Sequence, residues 1–161
     1  MTQYSSSTLA QYLDRLAARE PVPGGGSAAA LSAALGSSLI AMVCGYSLGK
    51  GKPLSVEKKI NDILAQSTQA RLKFLNWVTL DARAYLNVIK TKKSDKFSYK
   101  KALKEAAAIP RDLRTLARSQ LKMTSYLYKE GNPYLLSDVK AAEEFLKAAI
   151  NTANIMIETN Q

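Results

Sequence analysis

Between Ser27 and Leu48 the chain carries no charged residue, and no other feature limits the possible folds as strongly. The stretch is rich in Ala, Ser, Gly and Leu, residues that either favour a helix or let one pack closely. It is long enough to pass the crude length requirement for crossing a membrane. Against a membrane span stand Ser27, Ser32, Ser37, Ser38 and Ser47, the lack of an aromatic belt, and strongly amphipathic neighbouring segments. A weakly polar helix of small residues belongs instead at the centre of a bundle, covered on several sides. Its small side chains allow partner backbones to come close.

The flanks of this segment set the rest of the topology. Pro21-Val22-Pro23-Gly24-Gly25-Gly26 breaks the chain ahead of it, and Gly49-Lys50-Gly51-Lys52-Pro53 ends it. Upstream, Ser7 is the expected N-cap of a helix carrying Leu9, Tyr12, Leu13, Leu16 and Ala17. Downstream, a third helix is expected from about Leu54 to Lys90. Its polar stripe runs from Lys58 through Asp62, Gln66, Gln69 and Lys73 to Lys90, opposite Ile60, Leu64, Ser67, Phe74, Val78, Tyr85 and Val88. At 100° per residue Arg71 falls in the middle of that apolar face and Asp81 on its flank. Tyr99 to Ile109 reads as a fourth helix, with Pro110 kinking it or splitting it from Arg111–Lys129. Gly131-Asn132-Pro133 forms a corner before a last helix from about Ser137. No segment alternates as a strand would. The expected fold is all-α: an up-and-down multi-helix bundle with a Gly-rich corner before a buried central helix, in one domain covering residues 1–161.

The residue inventory restricts the chemistry sharply. There is no histidine and one cysteine, so a zinc site of the usual type cannot be assembled within one chain, nor an internal disulfide. Acid–base work must rest on carboxylates, lysines or tyrosines. The lone cysteine and the lack of a secretory signal before the first helix place the chain by default in a reduced, cytoplasmic compartment. A net charge of +10 suggests an anionic partner or a plain basic surface. Lys90/Lys92/Lys93/Lys96 and Lys100/Lys101/Lys104 fall at a helix end and the next helix start. Neither cluster has the interleaved aromatics of a base-stacking surface, so charge alone supports nucleic acid.

Several residues have both a plain and a functional reading. Gly24-Gly25-Gly26-Ser27 could present helix N–H groups to an anion, but first reads as a tight corner. For Asp81 and Arg71 a structural ion pair and a functional site are equally open. Asp138 beside Ser137 reads first as a helix cap. Lys50 and Lys52 could hold a carboxylate-rich ligand or simply face solvent. Cys44 reads as a small core residue, Asn132 as a turn former, and Asn154 as a polar flank.

The run Leu16–Leu31, with Pro21-Val22-Pro23-Gly24-Gly25-Gly26-Ser27 at its heart, resembles the formiminotetrahydrofolate cyclodeaminase / methenyltetrahydrofolate cyclohydrolase family. Gly49-Lys50-Gly51-Lys52, Asp81-Ala82-Arg83-Ala84-Tyr85, Gly131-Asn132 with Ser137-Asp138, and Asn154-Ile155 resemble later motifs of that family, in the right order over essentially the whole chain. Pro53-Leu54 stands where the family has an aromatic after a denser lysine turn. The resemblance implies a helical homodimer acting on a tetrahydrofolate derivative, polyglutamylated, with no metal, no other cofactor and no membrane. It implies cyclisation of 5-formiminotetrahydrofolate to 5,10-methenyltetrahydrofolate with release of ammonia, or alternatively hydrolysis of the methenyl compound to 10-formyltetrahydrofolate. A non-catalytic folate-binding or scaffold bundle is the alternative of another class. The resemblance further raises Asp81 to first acid/base candidate and Asp138 to second. Gly24, Gly25, Gly26, Ser27, Lys50, Lys52, Asn132 and Asn154 become substrate-binding candidates.

Overall fold

The computed structural model describes residues 4–159, which form helices without strands. After a 3-10 turn at Tyr4–Ser6 come α1 (Leu9–Ala17), α2 (Gly25–Ser47), α3 (Leu54–Thr91) and α4 (Lys96–Glu130). A second 3-10 turn at Pro133–Leu135 then leads into α5 (Leu136–Thr159). The four long helices run up, down, up and down. α2 packs against α3 and α5, α4 closes the square between them, and α2 and α4 meet across the diagonal.

α1 is capped by Thr8 rather than Ser7. The Thr8 hydroxyl accepts the Gln11 N–H at 3.2 Å, and Gln11 Oε1 accepts the Thr8 N–H at 3.0 Å. Ser7 would put Ala10 in the third position, with no side chain to return the bond. α2 begins two residues earlier than expected, at Gly25. By length and composition it could cross a membrane, and here half of its most apolar window is buried within the bundle. Ala30, Ala33, Ile40, Val43 and Cys44 are wholly covered. Gly36 sets the α2–α5 spacing, since a Cβ there would stand 2.8 Å from Leu146 Cγ and 3.0 Å from the Ala142 carbonyl oxygen.

α3 matches its expected span to within one residue and buries Ile60, Ser67, Phe74 and Val78 as the stripe requires. The stripe fails past Ala82: Tyr85 is 51% exposed. α2 starts opposite Asp81, so the last turns of α3 run on beyond it. Arg71 is half-exposed and not in the middle of the core face. Ten residues separate it from Asp81, about 15 Å along the helix, so the two cannot pair.

The largest departure is α4. It begins at Lys96, capped by Asp95, whose side chain accepts the Ser98 N–H at 2.9 Å. It then runs unbroken through Pro110 to Glu130. Proline removes one helical bond and crowds the preceding turn, but the buried Pro110 ring sits in the bundle end and the flanking turns stay packed. Tertiary packing overrides the local break.

Candidate active site

The Pro21–Gly26 corner delivers α2 into the bundle with its first N–H groups uncapped, because the N-cap Gly24 has no side-chain oxygen to offer. Asp81 of α3 meets this terminus and accepts the Ser27 N–H. Gly26 permits the approach, for a Cβ on it would fall 2.6 Å from Asp81 Cγ.

Ser27 supports the arrangement from behind. It is completely buried, and its hydroxyl donates to the Val78 carbonyl at 2.8 Å. With that single proton committed, Ser27 Oγ accepts from the Tyr12 hydroxyl at 3.1 Å. Burial pushes the Tyr12 phenol above its ordinary pKa, and the nearby Asp81 charge adds to this against the pull of Ser27. The chain Tyr12–Ser27–Val78 thereby locks α1, α2 and α3 around the carboxylate.

Asp81 has no ion-pair partner among the described residues. Burial raises its pKa above the usual carboxylate value, and the Ser27 N–H draws it only partly back. A carboxyl shifted this way and left without a cation can hold or release a proton nearer neutrality, as acid–base chemistry needs.

In front of Asp81 opens a cavity of about 530 Å³. Pro21, Gly24, Gly25 and Gly26 form one wall, Tyr85 and Val88 of α3 a second, Leu103, Ala107 and Pro110 of α4 a third. Met156 and Thr159 of α5 close it. A slot of this size, lined mainly by small and apolar side chains with a carboxylate in one wall, suits an organic ligand that carries polar groups. Of the residues in these walls, only Gly24, Gly25 and Gly26, besides Asp81 itself, are candidates from sequence. Two sequence features fall there: Tyr85, the aromatic late in the α3 stripe, and Pro110.

The remaining candidates lie elsewhere. Lys50 and Lys52 follow the far end of α2, with Lys50 between Gly49 and Gly51, both at positive φ. Asn132 and Asp138 share that end. Its distance from the glycine corner is the length of α2, 23 residues, or about 35 Å. Asn132 donates its backbone N–H to Ser47 Oγ at 2.8 Å and accepts the Tyr134 N–H at 3.0 Å. Asp138 is half-buried in the first turn of α5 rather than capping it. Asn154 lies on the cavity's side of the bundle but holds Arg114, whose Nη1 donates to its Oδ1 at 3.1 Å. Cys44 is buried in the core with its thiol pushed up to about 12 by desolvation. No group of three or more His, Cys, Asp or Glu placed to hold a metal occurs among the described residues.

Fold and site together define a helical-bundle protein that sets one shifted, unpaired carboxylate at a helix N-terminus beside an apolar cavity. The profile of the formiminotransferase-cyclodeaminase family matches residues 8–161, and the chain belongs to that family. It is 28% identical to a methenyltetrahydrofolate cyclohydrolase of Methylorubrum extorquens over 96% of this chain and 79% of that protein. It is also 28% identical to a formimidoyltransferase-cyclodeaminase of Dictyostelium discoideum, over 97% of this chain but only 30% of that longer protein. Among solved structures, a formiminotetrahydrofolate cyclodeaminase of Thermotoga maritima superposes with a TM-score of 0.91 at 28% identity, covering 96% of this chain and 78% of that one.

Proposed function

We propose that this chain is a one-carbon folate enzyme that cyclises 5-formiminotetrahydrofolate to 5,10-methenyltetrahydrofolate with release of ammonia. The observation that carries the reading is Asp81, raised in pKa and without a cation at the mouth of an apolar cavity. In the cyclisation N10 attacks the formimino carbon, which becomes tetrahedral. Starting from the protonated formimino group, the N10 proton must leave and the departing nitrogen must gain one. Asp81 takes the first proton and returns it to the leaving amine, so ammonia departs and the methenyl cation forms beside a carboxylate. Hydrolysis of the methenyl compound passes through a similar tetrahedral carbon, with water in place of the amine. Similarity to a cyclohydrolase along nearly the same span makes it the second reading. Purified protein given each substrate decides between them by methenyltetrahydrofolate absorbance. Appearance from the formimino compound supports the first reading, disappearance alone supports the second, and no change with either contradicts both.

The active form in this proposal is a cytoplasmic homodimer. The outward face of α2 carries Leu31, Leu35, Leu39, Met42 and Tyr46 and no charge, with Leu35 45% and Tyr46 61% exposed. Pairing two such faces antiparallel brings the Lys50/Lys52 loop of each copy toward the glycine corner of the other, because α2 spans the whole distance between those corners. A polyglutamate tail leaving the cavity then meets lysines. Cys44 is the only cysteine and is buried, so engineered thiols report cleanly. A mixture of Gly24→Cys and Lys50→Cys chains should cross-link with a short bismaleimide, and each chain alone should not. Light scattering of a folded monomer at micromolar concentration contradicts the dimer. Lys50→Ala with Lys52→Ala should flatten both the rise in affinity with glutamate number and its fall with salt.

A further inference from the structure

Pro110 stands deep inside α4, where proline is the least favourable residue a helix can hold. Its position coincides with the cavity: Leu103, Ala106, Ala107 and Pro110 lie on one face of α4 and all line it. In a regular helix the carbonyl of Ala106 receives the N–H of residue 110, and proline has none. With no N–H from Pro110, that carbonyl lacks its usual helical partner on the stretch of α4 that lines the cavity. An unpaired buried acceptor is costly unless a ligand or water supplies a donor.

The opposite wall has the complementary character, with the uncapped N–H groups of the α2 terminus and the Asp81 carboxylate. A flat ring that carries N–H donors along one edge would satisfy the α4 side and leave its reacting nitrogens toward Asp81. We propose that the Ala106 carbonyl, released by Pro110, accepts a hydrogen bond from the amino group of the reduced pterin and so positions the substrate. This rests on the folate reading and assigns its specificity to the main chain. Pro110 is thus a positioning residue, acting by withholding an N–H.

The assignment gives stability and binding opposite signs at one residue. Pro110→Ala restores the helical bond, so its melting temperature should rise while tetrahydrofolate affinity falls about tenfold, the scale of one hydrogen bond. Loss of the ring contact is separated by a second ligand, a tetrahydrofolate analogue with methyl in place of the pterin amino group. The native chain should prefer the amino compound by about tenfold, and Pro110→Ala should bind the two alike. Pro110→Ser, which also restores the N–H, should behave the same way, so a folding fault peculiar to one variant is recognisable. Undiminished amino-ligand affinity in both variants, or equal weakening toward both ligands, overturns the proposal. A native chain that binds no tetrahydrofolate overturns the folate reading and this assignment together.

Discussion

The two ends of the bundle carry sequence punctuation of equal prominence and use it in opposite ways. At the far end, Gly131 N–H bonds to the Leu127 carbonyl, Asn132 N–H to Ser47, and Gly49 N–H to Glu57. Its polar groups largely hold one another. At the near end, the glycine corner gives α2 no side-chain cap from its own N-cap residue and brings the helix N-terminus to a carboxylate with no ion-pair partner among the described residues. Hydrogen-bond accounting, rather than the conspicuousness of a motif, separates a structural corner from a reactive one.

The contrast can be broken most forcefully at Gly26. A Cβ there collides with the Asp81 carboxylate, whereas one at Gly24 meets nothing within 4 Å. Gly26→Ala should therefore lower turnover by about 10²-fold, the scale of a misplaced catalytic group. Gly24→Ala should retain most of it, and equal losses in the two variants would dissolve the distinction. At the tied end the expected response is stability: Asn132→Ala removes a turn cap and should cost about 1 kcal/mol in urea unfolding. A turnover loss as large as that of Gly26→Ala would place chemistry at that end too.

A smaller effect sharpens the comparison through pH. Burial raises the Asp81 pKa above that of the unfolded chain, so the native state keeps its proton to higher pH. Stability then falls as pH rises between the unfolded and folded values, and the deficit persists above them. Asp81→Asn removes the deficit. Its melting temperature should exceed that of the native protein at neutral pH, and the gain should vanish below the ordinary carboxylate value of about 3.9. A variant less stable at neutral pH would mean that Asp81 is structurally paired.

Much of this arrangement was legible in the sequence, for identifiable reasons. Absence of charge marked α2 as central, and a long amphipathic period marked α3 to within one residue. Asp81 stood out as a carboxylate on an apolar flank. Pro110 left a kink or a break open, and the continuous α4 excludes the break, since packing against neighbouring helices offsets the local penalty. Tyr85 belonged to the apolar stripe yet lies half-exposed at the cavity, since periodicity cannot say where an adjacent helix begins. The separation of Lys50, Asn132 and Asp138 from Asp81 was hidden for a similar reason: motif order along a chain carries no distance until helix directions are known. The role of Ser27 was hidden too, its N–H going to Asp81 and its hydroxyl to Val78.

The account turns on Asp81 as the proton carrier, and one paired measurement tests it. Asp81→Asn keeps the size of the side chain and an acceptor for the Ser27 N–H while removing the titratable proton. Turnover measured by methenyltetrahydrofolate absorbance, beside tetrahydrofolate affinity in the same folded sample, isolates the chemical step. The expected result is a fall in turnover of about 10²–10⁴-fold with affinity nearly unchanged. Native-like turnover in a folded variant would contradict the assignment and pass the proton chemistry to another group.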